Sequence, residues 1–211
     1  MMQPIVFDDF LERTRLDRNL VYFKSTEPPR CVISLKDVSE ITSLFAMPAS
    51  YLGQLLSSVT LVESPKIRVF DECAIRLMTF DPSQLCLGQK YVYRNKYIAI
   101  FENFERTFHT FLITGGISEL TPFIVLGKNR EGETSLAHYI PPIVERHNST
   151  LILMDGIHRN FIVKRCGTTI KSIFIDCVKV PFPCTARPWE DIELADTKPP
   201  RQEDRFFNLK P

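Results

Sequence analysis

No apolar run in the chain approaches the roughly 20 residues that a membrane helix needs, so a membrane-spanning protein is not expected. Charge is close to balanced, with a net of +1 over 211 residues, so no global field draws the chain to nucleic acid or to an anionic membrane surface. Local basic residues still permit nucleic acid as a partner without favouring it. The first residues, Met1-Met2-Gln3-Pro4-Ile5-Val6-Phe7-Asp8-Asp9, lack the basic start and long apolar stretch of a signal peptide. The six cysteines (Cys31, Cys73, Cys86, Cys166, Cys177 and Cys184) form no Cys-x-x-Cys pair, and none stands at zinc-finger spacing to a histidine. Free, buried, reduced thiols are the expectation, and a cytoplasmic location goes with them. Only four histidines are present, and no two have metal-ligand spacing, so a zinc site is not expected. Thr114-Gly115-Gly116 begins like a phosphate loop, but no Gly-Lys-Ser/Thr follows, which excludes a Walker A reading. There is no internal repeat and no low-complexity segment.

What remains has the composition of an ordinary globular protein, 44% hydrophobic and 24% charged. The length suffices for one large domain, or for one domain with a substantial extension. Residues 1–65 read as a helical and strand extension. Within it, Asp37 to Ala46 carries helical spacing at Val38, Ile41, Leu44 and Phe45, and residues 49–58 form a second helix on Tyr51, Leu52, Leu55 and Leu56. Residues 66–180 read as the core domain. Expected strands are Lys66 to Phe70, Ala74 to Phe80, a hairpin over Tyr91 to Phe101, Thr110 to Thr114, Pro122 to Leu126, Ile140 to Glu145, Thr150 to Met154 and Ile170 to Val178. Gly127 to Tyr139 is polar and reads as a surface loop. Pro181, Pro183, Pro188, Pro199, Pro200 and Pro211 mark residues 181–211 as an extended tail, held by Trp189, Phe206 and Phe207. The fold class is α+β, a mixed β-sheet core with few helices.

One junction concentrates the polar chemistry. Thr150-Leu151-Ile152-Leu153-Met154 runs straight into Asp155-Gly156, then Ile157-His158-Arg159 opens a helix that reaches Gly167. Buried strand, tight turn and helix start place unpaired backbone N–H groups and the positive helix end at one spot. Cations are unfavourable in a first helical turn, so His158 and Arg159 together suggest an anionic partner. Asp155 reads either as an N-cap or as a carboxylate that holds Mg²⁺ or takes a proton from a substrate hydroxyl. Gly156 reads either as a turn residue or as a gap through which a phosphate approaches the backbone.

The succession Pro142-Ile143-Val144, then Leu151-Ile152-Leu153-Met154-Asp155-Gly156-Ile157-His158-Arg159, then Gly167 before Ile170 to Val178 resembles the ParB/sulfiredoxin superfamily over about residues 140–178. The resemblance implies a ParB/sulfiredoxin-like core that binds a nucleotide with its phosphates on Gly156, Ile157, His158 and Arg159. Sulfiredoxin-like members carry a catalytic cysteine at the position of Ile157, which argues against sulfinic acid repair here. DNA-partitioning members follow the motif with a helix-turn-helix domain, whereas a Pro-rich tail follows here. Serine-kinase-like members begin their motif Asp-Gly-His, of which Asp155 and Gly156 stand in this chain; their upstream glutamate has no assigned counterpart.

Two functions of different classes follow. The first is a nucleotide-dependent phosphotransferase or phosphohydrolase, with ATP or another nucleotide and an unknown small molecule as substrates. Asp155 and His158 are its candidate catalytic residues, and Asp155 its candidate Mg²⁺ ligand. The second is a non-catalytic nucleotide-sensing or nucleic-acid-associated module that uses the same site only to bind.

Overall fold

A computed structural model describes residues 4–21, 27–61, 64–100 and 120–207. In chain order the elements are β1 (Ile5–Val6), α1 (Phe7–Thr14), α2 (Arg18–Val21), β2 (Cys31–Val32), β3 (Glu40–Ala46), α3 (Ala49–Ser57), β4 (Ala74–Phe80), β5 (Cys86–Leu87) and β6 (Tyr91–Tyr93). Helix α4 opens at residue 94 and is described to residue 100. There follow β7 (Phe123–Lys128), β8 (Thr134–Tyr139), β9 (Ile143–His147), β10 (Thr150–Asp155), α5 (Ile157–Arg165), β11 (Ile170–Asp176) and β12 (Glu193–Ala195). Mixed sheets with few helices make this an α+β fold. No helix among the described residues is long and apolar enough to cross a membrane.

The chain divides into two units, one of Met1–Asp71 with Leu120–Ile140, the other of Glu72–Glu119 with Pro141–Pro211. The first holds a five-stranded sheet in the order β1-β2-β8-β7-β3. Strands β7 and β8, expected in the central domain and in a surface loop, pair here with strands of the N-terminal segment. Hydrogen-bonding partners decide this, since β3 pairs antiparallel with β7 from Glu40↔Lys128 to Ala46↔Phe123 and β2 pairs parallel with β8. Residues 37–46, expected as a helix, are largely strand β3. A register shift between Ile41 and Ser43 breaks the period-2 alternation, and the apolar positions left behind imitate a helical spacing. The polar sequence of β8 misleads in the same way. Ser135 is fully buried, and the His138 ring is packed by Phe10 and Tyr51.

The second unit holds the sheet β4-β11-β9-β10-β5. Strands β9 and β10 form an antiparallel hairpin, and α5 then carries the chain from β10 to β11, which lies parallel to β9. One face of this sheet buries Val144, Leu153 and Phe174 with Ile157 of α5, Phe80, Leu85, Leu87, Val92 and Trp189. The hairpin expected over Tyr91 to Phe101 is strand β6 followed directly by α4, which sets Tyr97 against Phe161 of α5. Residues 66–70, expected as a strand, form turns with one isolated bridge, Thr60↔Arg68. The strand expected at 110–114, His109 and Thr114-Gly115-Gly116 lie outside the described residues.

The tail closes this unit as an ordered strap. Leu87 and Arg187 exchange both backbone hydrogen bonds at 2.8 and 2.9 Å, and β12 pairs parallel with β6. Trp189 is buried as expected, whereas Phe207 is exposed. Of the cysteines, all free, only Cys31 is buried; Cys166 and Cys177 are exposed, so the expectation of uniformly buried thiols is corrected.

Candidate functional site at the start of helix α5

The strand expected over Thr150 to Met154 runs one residue further, to Asp155, and Gly156 adopts φ +86°, ψ 24° immediately before α5. This left-handed conformation costs a residue with a Cβ about 1–2 kcal/mol. Space excludes a side chain as well. A Cβ on Gly156 would lie 2.8 and 2.9 Å from the Pro142 ring and 3.1 Å from an Arg159 guanidinium nitrogen. The turn is further fixed from inside the helix. The Gly156 carbonyl accepts from the Asn160 backbone N–H at 2.9 Å and from Asn160 Nδ2 at 3.1 Å. Asn160 is fully buried, and its Oδ1 has no partner.

No side chain caps the N-terminus of α5. Asp155 is therefore not an N-cap, and its carboxylate turns outward, with 65% of the side chain exposed. It accepts from Arg159 Nη2 at 3.1 Å. The Arg159 side chain is only 16% exposed, so its stem is packed while its head reaches the rim of the junction. The structure thus brings Asp155, Gly156, Ile157 and Arg159 to one place, a partly exposed ion pair beside an uncapped helix start.

His158 departs from its expected role. It is buried, and its Nε2 accepts a hydrogen bond from the Tyr93 backbone N–H at 3.1 Å. Burial first, and then the positive charge of Lys96, lower its pKa to about 4. The expectation of a cationic His158 is corrected on both counts, since an imidazole that accepts at Nε2 is neutral and carries its proton on Nδ1. The Tyr93 ring stacks on His158 with centroids 5.5 Å apart, and the Tyr93 hydroxyl donates to Asp204 Oδ1 at 2.5 Å. Burial, followed by this bond to a carboxylate, raises the Tyr93 pKa far above the usual phenol range. Tyr93 and Asp204 escape a reading of the sequence because they stand 65 and 46 positions from His158 (158 − 93 and 204 − 158). The local signal is a run in which Tyr91, Tyr93 and Tyr97 alternate with Arg94 and Lys96.

Glu145, on β9, is buried and bonds His147 at 2.6 Å. It is in register with Ile152 and Ile175, on the sheet face opposite Val144 and α5. Burial raises its pKa, an effect partly offset by His147. The mixed-charge segment Lys128 to Glu133, expected within a surface loop, ends β7 and forms the tight β7–β8 turn. Asn129 Oδ1 accepts there from the Glu131 and Glu133 backbone N–H groups. Among the described residues no group of three or more His, Cys, Asp or Glu side chains is placed to hold a metal ion.

A family model described as the ParB CE domain matches residues 51–193, well over half of the chain. The chain belongs to the ParB CE domain family. The matched span contains β9, the Asp155-Gly156 turn, α5 and β11, and it ends within β12. No match was found to a curated protein or to a solved structure.

Proposed function

We propose that this ParB CE family member is a nucleotide-dependent phosphotransferase or phosphohydrolase that seats the phosphates of ATP or a related nucleotide at the start of α5. The observation that carries the reading is the uncapped helix start with an exposed carboxylate and a packed guanidinium at its rim, joined by a glycine that admits no side chain. Backbone N–H groups of Ile157, His158 and Arg159 face that end by helix geometry, and a phosphate is the anion such an end accepts. Arg159 neutralises charge on the transferred group, where positioning and electrostatics supply most of the acceleration.

Asp155 suits Mg²⁺, an ion that takes one or two carboxylates together with substrate phosphates rather than a protein-only cage. Asp155 would hold the ion, which would supply positive charge against the phosphates. Asp155 otherwise orients the attacking hydroxyl or water and accepts its proton. The motif's likeness to nucleotide-binding ParB/sulfiredoxin-like proteins supports the same site. The alternative is a module in which the same site senses a nucleotide without turning it over.

The test is calorimetric titration of ATP, ADP and CTP with Mg²⁺, followed by phosphorus NMR for turnover. Arg159→Ala is expected to weaken nucleotide binding about tenfold or more, the value of one charge-assisted hydrogen bond. Asp155→Asn is expected to cut turnover far more than binding. Binding with no turnover in the wild type selects the sensing alternative. If Arg159→Ala leaves nucleotide affinity unchanged, the junction is a structural turn and the reading fails.

A further inference from the structure

We propose that Cys73 and Cys177 form a reversible disulfide, a redox-sensitive modification site that staples the open end of the β4–β11 pair and stands apart from the α5 site. The pairing of these strands carries the inference. Strands β4 and β11 run antiparallel in unbroken register from Ile170↔Phe80 to Asp176↔Ala74. One step beyond that last pair, Cys73 stands opposite Cys177. The Cys73 Sγ lies 3.7 Å from the Cys177 carbonyl oxygen, so its sulfur already rests against the backbone of the facing residue. Residues directly opposite on antiparallel strands have Cα atoms about 4.5–5.5 Å apart. That lies inside the range of roughly 4.4–6.8 Å that a disulfide spans. The Lys179 ammonium and the Glu72 carboxylate bond across the same two segments, two residues after Cys177 and one before Cys73, and so hold the facing ends together. The other thiols are placed differently. Cys31 faces Ser135 and Cys86 faces Ile152 on their partner strands, Cys166 is the C-cap of α5, and Cys184 bridges Phe207 in the tail.

Access divides the roles of the two thiols. Cys177 is exposed and Cys73 half-buried. Cys177 has φ +64°, and its N–H donates to the Asp176 carboxylate at 2.9 Å. Both features take it out of the ladder, so closing the bridge costs no strand-to-strand bond at that N–H. The oxidant is a small disulfide of the glutathione class. The Cys177 thiolate attacks one of its sulfurs, the S–S bond breaks, and one small thiolate leaves and takes up a proton. The Cys73 thiolate then attacks the Cys177 sulfur of this mixed disulfide and expels the second small thiol. The two cysteines lose two electrons and two protons, and the small disulfide gains both as two thiols. Excess small thiol reverses the sequence. Because the linked residues stand 104 positions apart, closure restricts a long loop of the unfolded chain and stabilises the fold. It also fixes the root of the tail, which leaves the sheet at Cys177.

Disulfide mapping of the full chain tests this. The protein is equilibrated in buffers of graded oxidised-to-reduced glutathione ratio, alkylated, digested without reductant and analysed by mass spectrometry. The expected product joins the peptide carrying Cys73 to the one carrying Cys177 and is lost on treatment with dithiothreitol, while the exposed Cys166 carries glutathione alone. Cys73→Ser should stop the reaction at a glutathione adduct on Cys177, and Cys177→Ser should abolish the link. The thermal midpoint of the wild type should rise by several degrees on oxidation and return with reductant, a shift that both variants should lose. Separate glutathione adducts on Cys73 and Cys177 at every ratio overturn the inference. So does a main product that links either residue to a different cysteine. Both readings come from the wild-type chain and need no variant to fold. A Cys73–Cys177 link that forms only in urea overturns it as well, because chance encounter in the unfolded chain, rather than the facing strand ends, would then join them.

Discussion

Both units of this chain are built on a five-stranded sheet, yet they connect their strands differently, and the candidate site follows from that difference. In the first unit, β7 and β8 are joined by a short turn whose polar groups satisfy one another. Asn129 Oδ1 takes two backbone N–H groups, and the Asn129 N–H reaches the Glu133 carbonyl at 3.0 Å. In the second unit, β10 and β11 run antiparallel to one another on either side of β9, and helix α5 carries the chain across from one to the other. A crossover helix starts at the strand's end with backbone donors that the sheet cannot use. Here no side chain uses them either. Closed turns complete a fold, whereas an open crossover leaves unspent hydrogen-bonding capacity at one spot.

Two glycines put the largest number on that contrast. Gly132 in the β7–β8 turn and Gly156 at the crossover both have positive φ, +79° and +86°. Nothing lies within 4 Å of a Cβ placed on Gly132, whereas one on Gly156 meets Pro142 at 2.8 Å. Gly132→Ala should cost only the conformational penalty, about 1–2 kcal/mol. Gly156→Ala adds overpacking against a rigid ring, bringing the total to about 3 kcal/mol or more. Calorimetric unfolding of both variants measures this. Equal losses would mean that Pro142 yields and that the crossover turn is no more constrained than the hairpin.

The same contrast explains what the sequence discloses. The crossover was legible because Thr150 to Met154, Asp155-Gly156 and Gly167 mark its strand, turn and helix end with residues chosen for local reasons. Its position at one end of a helix follows from those residues alone. The long-range pairings were not legible. The bulge at Ile41–Ser43 erases the alternation of β3, and Ser135 and His138 make a buried strand look like a loop. Tyr97 packs on Phe161 of α5, a contact with no local signature. The role of His158 was misjudged for a related reason. A histidine in a first turn reads as a cation until Tyr93 is seen to occupy its Nε2.

Among the described residues, each unit has one histidine whose pKa burial lowers to about 4, and acid should separate them. His138 bonds the Tyr51 hydroxyl at 2.6 Å and stacks on Phe10; burial alone lowers its pKa to about 4. His158 has the same value, but Lys96, Asp204, Asp155 and Arg159 also act on it. Both folded values lie below the ordinary 6.5. The unfolded chain therefore takes up protons first, and the stability contributed is full above pH 6.5 and is lost as pH falls toward 4. Each group accounts for up to about 3 kcal/mol over that window. Urea unfolding from pH 7 to pH 4 should show the loss, and His138→Gln should flatten it in the first unit. Added salt should move the NMR titration of His158, whose neighbours are charged, and leave that of His138 in place. Salt shifts of equal size would erase the electrostatic distinction between the two interiors.

The smallest effect concerns the tail, which belongs to the second unit as structure rather than as an appendage. Trp189 is the chain's only tryptophan, so its fluorescence reports this contact alone. Its Nε1 donates to the Pro82 carbonyl at 2.6 Å, and its ring lies 6.5 Å from that of Phe161 on α5. Acrylamide should quench it far less than free tryptophan. Trp189→Phe keeps an aromatic ring against Phe161 but removes one of two donors to the Pro82 carbonyl, which keeps the Leu85 N–H at 3.1 Å. One such bond contributes about 1 kcal/mol. The loss should stop there, because the tail has further anchors in the Leu87–Arg187 bridge, the β6–β12 pairing and the Tyr93–Asp204 bond. A cost of 4 kcal/mol or more would show that Trp189 is the sole fastening. In that case Asp204 would reach Tyr93 only while Trp189 is seated, and the site at α5 would depend on one indole rather than on a strap held along its length.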